Sequence, residues 1–87
     1  MTTLDLSIII PAYNEEALIA STLDGLQTYL SARPEQFEII VVDDGSQDRT
    51  VASIQDWKNR SGTDLRLLVN QQNMGKGFSI RRGVLES

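Results

Sequence analysis

The sequence contains no cysteine and no histidine. Without cysteine, the chain has no disulfide framework, no thiol nucleophile and no cysteine-ligated metal. Without histidine, it lacks the commonest metal ligand, the usual general base and the Ser-His-Asp triad. The sequence therefore excludes thiol catalysis, the Ser-His-Asp triad and cysteine-ligated metal sites.

Long apolar runs are also missing. The cleanest apolar run spans residues 39–42, far short of the roughly 18 residues of a membrane span. The N-terminus has no basic segment of the kind that opens a signal peptide. We therefore expect a cytoplasmic protein, or one at the cytoplasmic face of a membrane if the full-length protein carries an anchor.

Positive charge is scarce overall and unevenly placed. Eight Lys and Arg against twelve Asp and Glu give a net charge of −4, which argues against nucleic acid as the main partner. Residues 1–48 hold nine acids and one base, whereas residues 49–87 hold seven bases and three acids. Two interpretations stay open: solvated surfaces, or acids near a cation or base edge with basic residues near phosphate.

Three apolar segments have the character of strands: 6–10, 37–42 and 65–69. Leu, Ile, Val and Phe make up 25 of the 87 residues, too many for a disordered chain. The first two segments are β-branched and nearly continuous rather than alternating. Strands covered on both faces of a parallel sheet have this pattern.

Helical periodicity fills the gaps between these segments. Residues 15–32 place apolar side chains on one helix face, and Asn14 is expected to cap that helix. A second helix is predicted from Asp48 to residues 61–62 and a third from residues 73–77 onwards. The side chains expected to face the core are Ile19, Leu23, Leu26 and Leu30, then Val51, Ile54 and Trp57, then Phe78, Ile80 and Val84 or Leu85.

The order strand-helix, repeated three times, predicts parallel pairing and right-handed crossovers. We predict a three-layer α/β fold whose sheet has the strand order 3-2-1, forming the N-terminal half of a doubly wound domain. Strand 1 would then be an edge, although its isoleucines suit a central strand. Since exposed apolar edges promote pairing, we expect residues 1–87 to be part of a larger domain, or to self-associate through strand 1.

Polar segments follow each predicted strand, at 11–16, 43–48 and 70–77. Ligands of open parallel sheets bind beyond the carboxyl ends of the strands, so we expect the three segments to converge on one rim. Two adjacent carboxylates, Asp43 and Asp44, stand on this rim. Either one of them accepts a hydrogen bond from a ring N–H of a nucleotide base or from a sugar hydroxyl, or one caps the following helix and the other is solvated.

The first of these segments offers an aromatic ring. Tyr13 can lie against a nucleotide base while Pro11 fixes its approach, or it can simply pack over the sheet end. Glu15 can stabilise a helix start or bind a ligand.

The Gly-Lys-Gly turn at 75–77 fails two nucleotide motifs. A P-loop needs glycine five residues before the Gly-Lys pair, where this chain has Asn70. A dinucleotide fingerprint needs Gly or Ala where Ile80 stands, and an EF-hand needs glycine where Arg49 stands. The turn is therefore predicted to hold one cation, Lys76, near a helix start where an anion can bind.

Taken together, these segments resemble the opening of the family 2 glycosyltransferases. The matching blocks are Ile-Ile-Ile-Pro-Ala-Tyr-Asn-Glu at 8–15, Ile-Ile-Val-Val-Asp-Asp-Gly-Ser-Gln-Asp at 39–48, and 70–77 with Gly83 downstream. The Asn-x-Gly-Lys-Gly turn is most similar to the dolichyl-phosphate mannosyltransferase-like branch. The resemblance implies the A-type nucleotide-diphospho-sugar transferase fold.

The resemblance also implies roles for individual residues. Those similar to nucleotide-contacting residues of the first loop are Pro11, Tyr13 and Glu15. Val42 and Asp44, with Asp43 beside them, match residues that hold the base or ribose, and Lys76 matches a basic residue of the third loop. The implied donor is a UDP- or GDP-sugar, and the acceptor is unknown or a lipid phosphate such as polyprenyl phosphate.

The family's metal and catalytic groups have no counterpart in this sequence. The resemblance implies Mg²⁺ or Mn²⁺ bound through an Asp-x-Asp motif, and no Asp-x-Asp occurs among the 87 residues. We therefore expect neither catalytic residues nor metal ligands in this chain. The alternatives are a non-enzymatic receiver-like signalling module, whose acidic pair normally follows strand 1, and a dinucleotide oxidoreductase, whose fingerprint is missing.

Overall fold

The computed structural model describes residues 5–87. Residues 1–4, on which the expectation about a signal peptide rests, lie outside the described residues. Three strands alternate with three helices, as predicted. The elements are β1 (Leu6–Ala12), α1 (Ile19–Ser31), β2 (Phe37–Asp43), α2 (Thr50–Ser61), β3 (Leu65–Val69) and α3 (Lys76–Glu86). None of these helices is long and apolar enough to cross a membrane.

The strands form one parallel sheet in the order β1-β2-β3, which confirms the predicted 3-2-1 arrangement. Ile8 pairs with Ile39, and Val42 pairs with Leu68. The central strand β2 is buried from its second residue to its last. β1 is mostly half-buried, because it forms one edge of the sheet among residues 5–87.

The sheet is the middle layer of three. Helices α1 and α2 cover one face, where the core contains Leu23, Ile39, Ile54 and Trp57. The indole N–H of Trp57 donates to Asp24 Oδ1 at 2.7 Å and so joins the two helices. Successive strand residues point to opposite faces of the sheet. The face that α1 and α2 leave open is covered by α3, which packs against β1 and β2.

Helix α1 begins four residues later than predicted, at Ile19 rather than Glu15. Asn14 does not cap it, because Asn14 adopts a left-handed backbone conformation with φ of 50°. Asparagine is one of the few residues that tolerate that conformation. The expected inward face is correct, since Ile19, Leu23 and Leu30 are buried.

The inward face of α3 differs from the prediction. The buried residues are Ser79 and Gly83, whereas the apolar side chains predicted to face the core are exposed: Phe78, Ile80, Val84 and Leu85. Gly83 lies so close to the sheet that a Cβ there would stand 2.4 Å from Ile9 Cγ2. The helix therefore uses its small residues to approach β1 and β2.

Candidate functional site

A pocket of about 520 Å³ opens beyond the carboxyl ends of the strands. Its lining comes from all three loops and consists of Pro11, Ala12, Tyr13, Glu15, Asp44, Asn73, Gly75 and Lys76. Five of the seven predicted site residues are in this set. Convergence of the three loops on one rim is thus observed in the structure.

The other two predicted site residues lie elsewhere. Asp43 lines a neighbouring depression together with Tyr13, Gly45 and Ser46. The Val42 side chain is fully buried against the α3 side of the sheet. Any ligand contact from Val42 would therefore involve its backbone.

The loop after β1 is fixed by its own backbone N–H groups. Three successive groups donate to side chains of the second loop and of the first residue of α2: Asn14 to Ser46 Oγ at 2.8 Å, Glu15 to Thr50 Oγ1 at 2.8 Å, and Glu16 to Asp48 Oδ2 at 3.3 Å. These hydrogen bonds hold residues 14–16 against the second loop and the start of α2, ahead of the helix that begins at Ile19. The result places Tyr13 and Glu15 at the pocket wall.

Residues of the first loop and the end of β1 also accept hydrogen bonds from backbone N–H groups of the second loop. Asn14 Oδ1 accepts a hydrogen bond from the Gln47 N–H at 2.9 Å. The carbonyl of Ala12 accepts from the Asp44 N–H at 2.8 Å. Thr50, which is fully buried, was not singled out from the sequence, although its position two residues after Asp48 is a common place for a capping partner.

Asp43 builds the turn of the second loop. Its two oxygens accept from the Ser46 N–H at 2.9 Å and the Ser46 hydroxyl at 2.6 Å, and the residue is completely buried. Asp43 is therefore not a solvated carboxylate. Its side chain is occupied by the protein's own donors.

Asp44 is bound to the third loop. Its Oδ1 accepts from the Met74 N–H at 2.7 Å and the Asn70 amide at 2.9 Å, and its Oδ2 accepts from the Gly75 N–H at 2.9 Å. Burial disfavours the charged form of Asp44, but these hydrogen bonds outweigh it and lower the pKa of the carboxyl below its ordinary value. Asp44 is thus an anion at neutral pH.

Asp48 accepts hydrogen bonds at the start of α2, a helix that the sequence predicted to begin near this residue. The Thr50 hydroxyl donates to its Oδ1, and the Thr50 N–H donates to the same oxygen at 2.9 Å. The hydroxyl bond is the main cause that lowers the pKa of Asp48, and burial opposes it. The helix itself begins at Thr50.

Gly45 permits the second and third loops to touch. It has a φ of 76°, and a Cβ at this position would lie 2.5 Å from the Gln72 carbonyl carbon and 2.7 Å from the Asn73 nitrogen. Any side chain would collide with backbone. Glycine is therefore required both by the local conformation and by the approach of the third loop.

Lys76 is the first residue of α3 and lines the pocket. The preceding Gly75 has a φ of 96°, so the chain turns sharply just before the helix. A helix N-terminus carries partial positive charge. The pocket lining therefore combines a cation and a helix start with the Asp44 carboxylate, which accepts from the Gly75 N–H directly before that helix.

The described residues do not fit a divalent metal by themselves. No group of three or more acidic side chains within residues 5–87 is placed to hold a metal ion. Asp43 and Asp44 already accept hydrogen bonds from Ser46 and from the third loop. A metal would need ligands outside this set.

Comparison with known proteins gives a family match over nearly the whole chain. The model of glycosyl transferase family 2 matches residues 7–87. A dolichyl-phosphate beta-glucosyltransferase of Dictyostelium discoideum is 37% identical over 86 residues, which cover 92% of this chain and 26% of that protein. A dodecaprenyl-phosphate galacturonate synthase of Rhizobium johnstonii is 30% identical over 82 residues, which cover 94% and 24%.

Solved structures share the fold. The mannosyltransferase PcManGT from Pyrobaculum calidifontis, solved with GDP-Man and Mn²⁺, superposes with a TM-score of 0.80 at 23% identity, covering 100% of this chain and 25% of that one. TarS 1-349 from S. aureus gives a TM-score of 0.80 at 26% identity, with 97% and 24% covered. The chain spans about a quarter of the length of the relatives it matches. The resemblance seen in the three sequence blocks is confirmed: the chain belongs to glycosyltransferase family 2.

Proposed function

We propose that this chain supplies the nucleotide-binding part of a glycosyltransferase. The whole enzyme would transfer a sugar from a UDP- or GDP-sugar to an acceptor such as a polyprenyl phosphate, in glycolipid biosynthesis. The observation that supports this most strongly is the meeting of Tyr13, Asp44 and Lys76 around one pocket. Residues 1–87 would then be one part of a larger nucleotide-sugar-binding domain.

The base of the nucleotide would occupy the wall formed by the first two loops. Tyr13 is 43% exposed, so part of this residue is accessible for contact with a base. Pro11 stands beside it and narrows the approach. The ionised Asp44 can accept a hydrogen bond from a ring N–H or a ribose hydroxyl, whereas Asp43 shapes the turn through Ser46.

The diphosphate would lie toward the third loop. Lys76 supplies the cation, and the start of α3 supplies partial positive charge. Glu15 lies on the same pocket wall as Pro11 and Tyr13. Its carboxylate is suited to a sugar hydroxyl rather than to phosphate, because like charges repel.

The acceptor and the metal are proposed from the relatives. Dolichyl-phosphate and dodecaprenyl-phosphate are named in the relatives' descriptions, and a lipid phosphate acceptor would place the whole enzyme at a membrane face. PcManGT was solved with Mn²⁺ beside GDP-Man. Mg²⁺ or Mn²⁺ in the whole enzyme would need an Asp-x-Asp outside these 87 residues, and no catalytic step is assigned to this chain.

Calorimetric titration with UDP, GDP and NAD tests the proposal. We expect binding of UDP or GDP and none of NAD. Tyr13→Ala should weaken binding about tenfold or more, because stacking of a base on an aromatic ring contributes about 1–3 kcal/mol. The matched control is Tyr29→Ala, since Tyr29 is exposed on α1 away from the pocket.

A second variant tests the diphosphate. Lys76→Met should weaken diphosphate binding about tenfold but change uridine or guanosine binding little, because only the diphosphate carries charge. Lys58→Met in the last turn of α2 is the matched control. Failure of every nucleoside diphosphate to bind would overturn the proposal, and so would equal effects of Tyr13→Ala and Tyr29→Ala.

A further inference from the structure

Asn70 is a buried polar side chain at the end of β3 that does not line the nucleotide pocket. It is 5% exposed. Its Nδ2 donates to Asp44 Oδ1 at 2.9 Å and to Ser79 Oγ at 3.0 Å, and its Oδ1 accepts from Arg82 Nη1 at 2.7 Å. Both amide hydrogens and the amide oxygen are therefore used inside the protein.

The chemistry of its neighbours permits one orientation of this amide. A guanidinium group only donates hydrogen bonds, and an ionised carboxylate only accepts them. A flipped amide would direct its N–H groups at Arg82 and its oxygen at Asp44, and both contacts would be repulsive. Arg82 and Asp44 thus hold Asn70 from opposite sides.

Asn70 in turn limits what Asp44 can do. An ionised carboxylate offers about four acceptor positions. Three are filled, by the Asn70 amide and by the N–H groups of Met74 and Gly75. The Ser79 side chain also hydrogen-bonds Asp44, so the protein's own donors decide how this carboxylate, which lines the pocket at 4% exposure, is presented to a ligand.

We propose that Asn70, held by Arg82 and Ser79, is a positioning residue that fixes the Asp44 carboxylate for the nucleotide. This inference rests on the proposed function, because it concerns the ligand of the same pocket. It assigns a role to Arg82 as well, since Arg82 determines which way the Asn70 amide points. Helix α3 thereby affects the pocket through Ser79 and Arg82, which bind Asn70, as well as through Lys76, which lines the pocket.

The test uses Asn70→Asp, Arg82→Met and the matched control Arg81→Met. Arg81 is the exposed neighbour of Arg82 and lies outside the network around Asn70. Two quantities are measured: the pKa of the Asp44 carboxyl, by carbon-detected NMR titration, and the Kd for UDP and GDP. Asn70→Asp should raise the pKa of Asp44, because it removes a donor and adds a like charge, and should weaken binding at least tenfold.

Arg82→Met should change both quantities in the same direction but less, because the Asn70 amide remains. Arg81→Met should leave the pKa of Asp44 unchanged and the Kd within about twofold, although it removes the same charge. If Asn70→Asp does not fold, as judged from its amide spectrum, Arg82→Met carries the test. A role confined to packing would not shift the Asp44 titration in a folded variant.

An unchanged Asp44 pKa or unchanged nucleotide affinity in folded Asn70→Asp would overturn the proposal. An equal effect of Arg81→Met and Arg82→Met would overturn it too. If the unaltered chain binds no nucleotide, the proposed function fails, whereas the Asp44 titration still decides whether Asn70 positions that carboxylate.

Discussion

Gly45 joins two loops of the site because it has no side chain. Its backbone is left-handed, and the Gln72 and Asn73 backbone occupies the space of a Cβ. Gly62 has a similar φ of 68° but open space around it. A comparison of Gly45 with Gly62 therefore separates the cost of the left-handed backbone conformation from the cost of a collision with the third loop.

We predict that Gly45→Ala destabilises the chain more than Gly62→Ala. The left-handed conformation alone costs about 1–2 kcal/mol for a residue with a Cβ, and Gly45→Ala must also displace the third loop. The free energies of unfolding in urea measure this difference. Equal losses for the two variants would show that the third loop does not press on Gly45.

Stability should also depend on pH through Asp44. The pKa of its carboxyl is lowered in the folded chain, so its contribution is present above the ordinary pKa of 3.8 and is lost as the pH falls through the lowered value. Urea unfolding between pH 7 and pH 3 should show this loss. Asp44→Asn should be less stable at pH 7 and should lose less on acidification, and an unaltered pH profile would contradict the assignment.

At the residue scale, the sequence identified the pocket lining better than the bonds that hold it. Tyr13, Asp44 and Lys76 were predictable because each follows a strand or opens a helix, and those positions meet on one rim. Their partners were harder to foresee. Thr50 and Asn70 act only after distant loops have come together, so no local pattern marks them.

Two helical glycines, Gly83 in α3 and Gly25 in α1, have different surroundings. Gly83 packs against Ile9 and Val42, whereas Gly25 in α1 has nothing within 4 Å of a potential Cβ. The approach at Gly83 determines how close α3 lies to the sheet. It also determines the position of Lys76 at the other end of the helix.

We predict opposite effects of alanine at these two positions. Gly83→Ala should cost about 1–3 kcal/mol through overpacking, because Ile9 Cγ2 is attached near the backbone and cannot swing away. Gly25→Ala should gain about 0.5–1 kcal/mol from helix propensity. Thermal or urea unfolding measures both, and a stabilising Gly83→Ala would contradict the observed packing.

At the element scale, periodicity predicted the strands and the inward face of α1 and α2 but not that of α3. A pattern of apolar residues predicts which face is buried only if large side chains make the contact. In α3, Ser79 and Gly83 make it instead. The predicted start of α1 was too early because distant partners in the second loop and α2 hold residues 14–16, and no local pattern marks those partners.

At the scale of the whole molecule, two apolar features are incompletely covered among residues 5–87: the edge strand β1, and residues of α3, which packs on β1 and β2. Ile80 and Val84 are 38% and 55% exposed. Apolar sheet edges promote association. We predict that the chain self-associates when studied alone, which light scattering detects as a mass above 9.7 kDa.

Val84→Lys should reduce this association, because it places a charge on the exposed apolar surface of α3. Gln55→Lys, on the exposed side of α2, adds the same charge at a distance and should have little effect. A stable monomer of the unaltered chain would refute the prediction.

The central claim is that three loops far apart along the chain form one nucleotide pocket. Amide chemical-shift mapping during titration with UDP or GDP tests it most directly. We expect the largest shifts to fall together in residues 12–15, 44–46 and 73–77, and the shifts of α1 and the outer side of α2 to stay unchanged. Shifts confined to one loop, or centred on the α1–α2 layer, would contradict it.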